Sequence, residues 1–187
     1  MAAFPTPIHP TIVLIGLRGA GKSTVARYLA RHLGLSPVDL DDRTPRHAGE
    51  ATVAGVFANQ GETAFRAAES RALFEALAEP DIVLALGGGT PTAPGAADLL
   101  RDAQAHDRAA VVYLRAPASD LAARLASADN AHRPALSELS PSAEIATLYA
   151  RRDPLYTALA RVVIEVAMLP PEQVARRVLL ALGRDPR

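Results

Sequence analysis

Short apolar runs alternate along the chain with segments whose apolar residues recur at helical spacing. This alternation predicts βα units around a parallel sheet. The first strand is expected over about Thr11 to Ile15, and the helix after it carries Val25, Leu29 and Leu33 on one stripe, stopped by Gly34. A second strand is read at Pro37 to Leu40, then a helical stretch with Val53, Val56 and Phe57 up to Gly61. The next helix, Glu62 to Ala78, turns Phe65, Leu73, Phe74 and Leu77 inward and is ended by Pro80. Strand three, Asp81 to Leu86, runs into Gly87-Gly88-Gly89. Beyond it lie a helix at Gly95 to Gln104, strand four at Ala109 to Leu114 and a helix at Pro117 to Ala126. A helix at Ser142 to Leu159, strand five at Arg161 to Val166 and a last helix at Pro171 to Leu182 complete the series. The polar, irregular stretch of about 127–140 between two of these helices is a candidate lid. No repeat and no long linker divides the chain, so residues 1–187 are expected to form one domain, with 1–10 as a proline-stiffened tail.

Composition narrows the partners. Twenty basic and twenty acidic side chains cancel, so no overall field draws the chain to nucleic acid or to a membrane surface. There is no cysteine, which excludes disulfides, thiolate metal sites and a cysteine nucleophile, and the five histidines show no ligand spacing. The N-terminal MAAFPTPIHP lacks the basic and apolar regions of a secretory signal, and no apolar run reaches the length of a membrane span. A cytoplasmic location is expected, with a monomer as the default because no exposed apolar stripe demands a partner.

Chemistry enters at the end of the first strand. Ile12-Val13-Leu14-Ile15 leads into Gly16-Leu17-Arg18-Gly19-Ala20-Gly21-Lys22-Ser23-Thr24, which fits the phosphate-binding pattern G-x-x-x-x-G-K-S. Glycines let the backbone curl so that its N–H groups converge, and the helix beginning at Lys22 points its positive end at the same spot. Gly19, Ala20, Gly21, Lys22, Ser23 and Thr24 are therefore the candidate ATP-binding residues, with Lys22 reaching the outer phosphates and Ser23 a candidate Mg²⁺ ligand.

Five further groups fall at two strand ends, a helix start, the candidate lid and the end of a helix. Asp39-Leu40-Asp41 closes strand two, where alternation would set both carboxylates on one side, beside the phosphate loop. One could then hold the Mg²⁺ shell and the other a reacting hydroxyl; a solvated acidic turn is the alternative. Arg66 and Glu69 are three apart on a helix, so Arg66 either pairs with Glu69 along the surface or offers its fork to a substrate carboxylate; taken alone, the ion pair is favoured. Gly87-Gly88-Gly89 exposes amides at the same sheet edge, or is a plain tight turn. Arg133 lies in the candidate lid, and Arg152 in Arg152-Asp153-Pro154-Leu155-Tyr156; each arginine alone reads as solvated, and Leu155 and Tyr156 as core packing.

In order, GLRGAGKST, DLD, GETAFRAAE, GGG, HRPAL and RRDPLY resemble shikimate kinases over nearly the whole chain, from Ile12 to about Leu182. The resemblance implies a three-layer α/β/α P-loop kinase fold with a five-stranded parallel sheet of order 2-3-1-4-5. It implies transfer of the ATP γ-phosphate to the 3-hydroxyl of shikimate, with Mg²⁺ as cofactor. Carried over by position, Lys22, Asp41 and Arg133 are the catalytic residues. Asp39 holds the metal through water, beside Ser23. Asp41, Arg66, Gly88, Gly89 and Arg152 bind the acceptor, and Glu69 orients Arg66. The chain departs from the family at Arg43-Thr44-Pro45-Arg46, where the helix after the aspartates usually begins smoothly. It departs again at Met168-Leu169-Pro170, so apolar walls are expected around the base and no residue is assigned to it. Two other readings stay open: a kinase for another small hydroxy acid such as gluconate, and a ligand-binding module without turnover.

Overall fold

A computed structural model describes residues 10–127 and 141–184. Arg133 and all but the first residue of the 127–140 segment lie outside these, as do residues 1–9 of the N-terminal tail. Five parallel strands form one sheet in the order β2-β3-β1-β4-β5, as the resemblance implied. They are β1 (Thr11–Ile15), β2 (Ser36–Asp39), β3 (Ile82–Ala85), β4 (Ala109–Arg115) and β5 (Val162–Glu165). The three central strands are buried almost throughout, whereas the edge strands alternate or open to solvent, with Pro37 tolerated on the β2 edge.

Chain direction decides the layers. From β1 the path moves left to β2 through α1 (Lys22–Leu33), and every later crossover moves right. Right-handed crossovers therefore put α1 on one face and α3 (Val53–Ala76), α4 (Ala96–Ala105) and α6 (Pro141–Leu159) on the other. The last helix, α7 (Pro171–Ala181), packs beside α1. The reversal falls between the neighbours β1 and β3, where a parallel sheet opens its ligand crevice at the strand carboxyl ends. Val25, Ala26, Leu29 and Ala30 of α1 bury against this sheet, and Gly34 caps the helix in the left-handed region, φ 69°.

Three expectations change. Strand β2 stops at Asp39 rather than Leu40, because the Asp39 carboxylate caps a four-residue helix, α2 (Leu40–Arg43). Thr44–Ala48 then forms a 3₁₀ turn begun by Pro45, which occupies the interval of the Arg43–Arg46 departure. Val53–Ala76 is divided at Gly61, φ 79° and ψ −179°, into the two helical segments that were expected. Within the second, Phe65, Glu69, Ala72, Leu73 and Ala76 share the inward face, while Phe74, one residue round from Leu73, is 62% exposed.

Candidate active site

Two loops leave the sheet side by side. Leu86 N donates to Leu14 O (3.0 Å), so the loop after β3 starts level with the loop after β1. In the β1 loop Gly16, Gly19 and Gly21 all have positive φ, and a Cβ on Gly16 would stand 2.6 Å from the Leu114 carbonyl oxygen. Helix α1 has Gly21 at its N-cap, with no side-chain cap and no acidic residue in its first turn. Its leading amides thus carry no side-chain cap, and with the helix dipole they suit an anion. Lys22 is 9% exposed and folds back over the loop, donating from Nζ to Gly16 O (2.9 Å) and Leu17 O (3.1 Å).

The metal-side candidates meet. Ser23 Oγ donates to Asp39 Oδ2 at 2.5 Å, joining the start of α1 to the end of β2. Strand alternation does not place Asp41. Instead its backbone N–H donates to Asp39 Oδ1 (3.1 Å), and the turn of α2 carries its side chain onward. The carboxylate nevertheless reaches the glycine run: a Cβ on Gly87 would collide with Asp41 Oδ1, Thr90 Oγ1 (2.9 Å) and Glu69 Oε1 (3.0 Å). Gly87 is bare because three oxygens converge on its Cα. Gly88 lies against the phosphate loop, where an added Cβ would be 3.1 Å from Arg18 N.

Both candidate acceptor arginines bracket the Gly88–Gly89 peptide. The Arg66 guanidinium covers Gly89, with Cζ 2.7 Å from where a Cβ would be. From the other side Arg152 Nη1 donates to Gly88 O (2.8 Å), and the Tyr156 hydroxyl donates to the same oxygen. Tyr156 is fully buried, as packing required, but its hydroxyl is also a structural donor. Its burial, against the opposing pull of Arg152, pushes the phenol up to about 12, so it stays a donor at neutral pH.

Arg66 and Glu69 do pair, Nη1 to Oε2 at 2.5 Å, and Glu62 adds a second carboxylate to Arg66 at 3.1 Å. The pair is not a surface one: Glu69 is 1% exposed and takes a further hydrogen bond from Thr90 Oγ1 (2.7 Å). Burial raises the Glu69 pKa; Arg66 and Thr90 pull it back and the Asp41 charge adds to the rise. Burial works against the Arg66 charge, but Glu69 and Glu62 outweigh it and keep its pKa raised.

Arg124 had no assigned role. It donates from Nη1 to Gly19 O (3.3 Å) and from Nη2 to Val166 O (3.1 Å), tying the phosphate loop to the end of β5. That edge therefore carries a guanidinium as well as apolar groups, and Met168 is 91% exposed rather than a wall. The eight residues between Arg124 and Arg133 carry no motif that links the two. Among the described residues no three His, Cys, Asp or Glu side chains gather to hold a metal, and no helix is long and apolar enough to cross a membrane.

Comparison with known proteins places this geometry in company. The family model for shikimate kinase matches residues 18–183. A shikimate kinase of Halorhodospira halophila is 39% identical over 100% of this chain and 99% of its own. One from Psychrobacter cryohalolentis is 37% identical over 93% of this chain and 89% of its own. Among solved structures, a shikimate kinase from Acinetobacter baumannii in complex with shikimate superposes with a TM-score of 0.83. It is 33% identical and covers 94% of each chain.

Proposed function

The chain belongs to the shikimate kinase family, and on that premise we propose that it transfers the γ-phosphoryl group of ATP to the 3-hydroxyl of shikimate. The observation that carries the reading is the single crevice itself. An uncapped, lysine-bearing helix start, an Asp–Ser oxygen pair and two arginines on one Gly–Gly peptide open onto the β1–β3 edge. A phosphate chain fits the first, and a carboxylate fits the arginines.

Each residue has a stated task. The loop amides of Gly19, Ala20, Gly21, Ser23 and Thr24 hold the phosphates, and Lys22 exchanges its carbonyl partners for phosphate oxygens. Arg66 and Arg152 clamp the acceptor carboxylate while Gly88 and Gly89 offer backbone groups beside it. Fixing the carboxylate at one end orients the ring, so that Asp41 can accept the hydrogen bond of the reacting hydroxyl. Phosphoryl transfer asks chiefly for such positioning and for charge neutralisation. Ser23 and Asp39 present hard oxygens 2.5 Å apart, a donor set suited to Mg²⁺, which keeps most of its waters and its phosphate ligands. Bound there, Mg²⁺ would supply neutralisation of the β- and γ-phosphate charge. Arg133 is retained on the resemblance as the arginine that neutralises the transferring group. A monomer in the cytoplasm, formed as one domain over 1–187, completes the reading.

Steady-state ADP release with ATP, Mg²⁺ and shikimate, against quinate, gluconate and no acceptor, tests it. Shikimate-dependent turnover of about ten per second, lost in Asp41→Asn and Arg66→Ala, is expected. Turnover with gluconate alone would replace the acceptor, and ATP binding without any turnover would favour the ligand-binding module.

A further inference from the structure

Helix α6 contains Pro154, which has no N–H to give the Ala150 carbonyl. One hydrogen bond of the helix is therefore missing within half a turn of Arg152, and side chains must hold that turn in place. Two stripes do so. Arg152 and Tyr156, four apart, both seize the Gly88 carbonyl. Tyr149 and Asp153, also four apart, face the end of β4. There Tyr113 OH donates to Asp153 Oδ1 (2.9 Å), Arg115 Nη2 to Asp153 Oδ2 (3.1 Å) and Arg115 Nε to the Tyr149 hydroxyl (3.0 Å). Arg115 also faces Glu165 of β5 at 3.6 Å. The Tyr113 ring, 1% exposed, meets the Tyr156 ring edge-on at 5.4 Å, so the two stripes share one buried aromatic contact.

We propose that Asp153 is a positioning residue for the acceptor. Held by Tyr113 and Arg115, it sets the α6 turn that carries Arg152 and so aims the guanidinium at the acceptor carboxylate. The proposal rests on Arg152 as a carboxylate-binding residue. Because C=O and N–H point oppositely across a trans peptide, the groups that grip the Gly88 oxygen also direct the Gly89 N–H. The Asp153 anchor thus sets two acceptor contacts at once. The anchor grips Gly88, an acceptor-side residue that also abuts the phosphate loop, so its effect is expected on the acceptor more than on the nucleotide.

The test uses the whole chain, with shikimate and its methyl ester as acceptors. Asp153→Ala should raise KM for shikimate about tenfold, the loss expected for charge-assisted hydrogen bonds. KM for ATP and kcat should stay within twofold. Asp153→Asn keeps an acceptor for Tyr113 and should restore most of the affinity. In an Arg152→Ala background, Asp153→Ala should add less than twofold. Tyr113→Phe, which keeps the ring, should raise the same KM about threefold and decides the matter if the alanine variant does not fold. Equal rises for acid and ester, additivity with Arg152→Ala, or a lowered melting temperature with unchanged KM would overturn the role of Asp153 alone. A wild-type enzyme that uses the ester as well as the acid would instead overturn the carboxylate reading of Arg152, and the proposal with it.

Discussion

Gly89→Ala isolates one side chain. Gly89 sits at φ −108°, ψ −15°, a conformation any residue adopts, so alanine brings no backbone strain. The three atoms nearest its Cβ would all belong to the Arg66 guanidinium: Nη1, then Cζ at 2.7 Å and Nη2 at 2.9 Å. Carbon atoms rest about 3.5–4 Å apart, so the guanidinium must withdraw by roughly 1 Å. The Nη1–Glu69 bond, 2.5 Å in the native chain, would then stretch to about 3.5 Å, outside hydrogen-bond range. A charge-assisted hydrogen bond contributes about 1.5–3 kcal/mol. The pair with the solvent-exposed Glu62 adds little to that. At this chain length the loss corresponds to a fall in Tm of about 3–12 °C. For catalysis the same displacement matters more: a 1 Å error in a substrate-positioning group costs up to about a hundredfold, here expected in KM for shikimate. Gly95→Ala is the control, since Gly95 has a positive φ (74°) but nothing within 4 Å of an added Cβ. Differential scanning calorimetry and steady-state kinetics on both variants decide the matter. An unchanged shikimate KM in Gly89→Ala, together with a melting temperature equal to wild type, would refute both the Arg66–Gly89 contact and its role.

Three other outcomes follow from the site. The folded pKa of Glu69 is raised above its ordinary value of 4.5, so between the two values the native state holds a proton that the unfolded chain has released. Stability therefore falls as pH rises through that interval; Glu69→Gln should flatten the melting profile there, and an unchanged slope would assign the effect elsewhere. Asp39→Asn should lower kcat about a hundredfold at fixed Mg²⁺ and raise the Mg²⁺ concentration needed for half activity, whereas loss of rate without any change in that titration would remove Asp39 from the metal side. Arg124→Ala releases the Gly19 and Val166 carbonyls and should raise KM for ATP about tenfold with the shikimate KM unaltered; the reverse pattern would contradict its place at the phosphate loop.

What could be read from the chain follows how locally each feature is encoded. The phosphate loop is contiguous, and its glycines, lysine and serine have one joint use, so the motif alone pointed to phosphate. The buried runs of β1, β3 and β4 are long enough to declare themselves, and crossover handedness then leaves few sheet orders. Asp41 was placed on the right side of the molecule for the wrong reason, since Asp39 ends its strand by capping a helix that four residues barely suggest. The Phe74 position failed because an apolar side chain carries no label for which face of a helix it takes. The joint role of Asp153, Tyr113 and Arg115 was invisible: one strand and one helix bring them together from positions up to 40 residues apart. Tyr156 was legible as bulk, but the direction of its hydroxyl depends on where the Gly88 carbonyl lies.

Lys22 shows what the fold itself settles. A long amine on a four-carbon stem normally wanders, and its immobilisation costs about 2 kcal/mol of rotamer entropy. Here the ammonium is docked on the Gly16 and Leu17 carbonyls of its own loop. That ordering is charged to folding, not to ligand capture. Nucleotide association then needs only a change of partner, oxygen for oxygen, and its calorimetric signature should lean toward enthalpy. The tightness of the loop is thus a kinetic property as well: a cation held at its post meets an incoming phosphate without first having to be found.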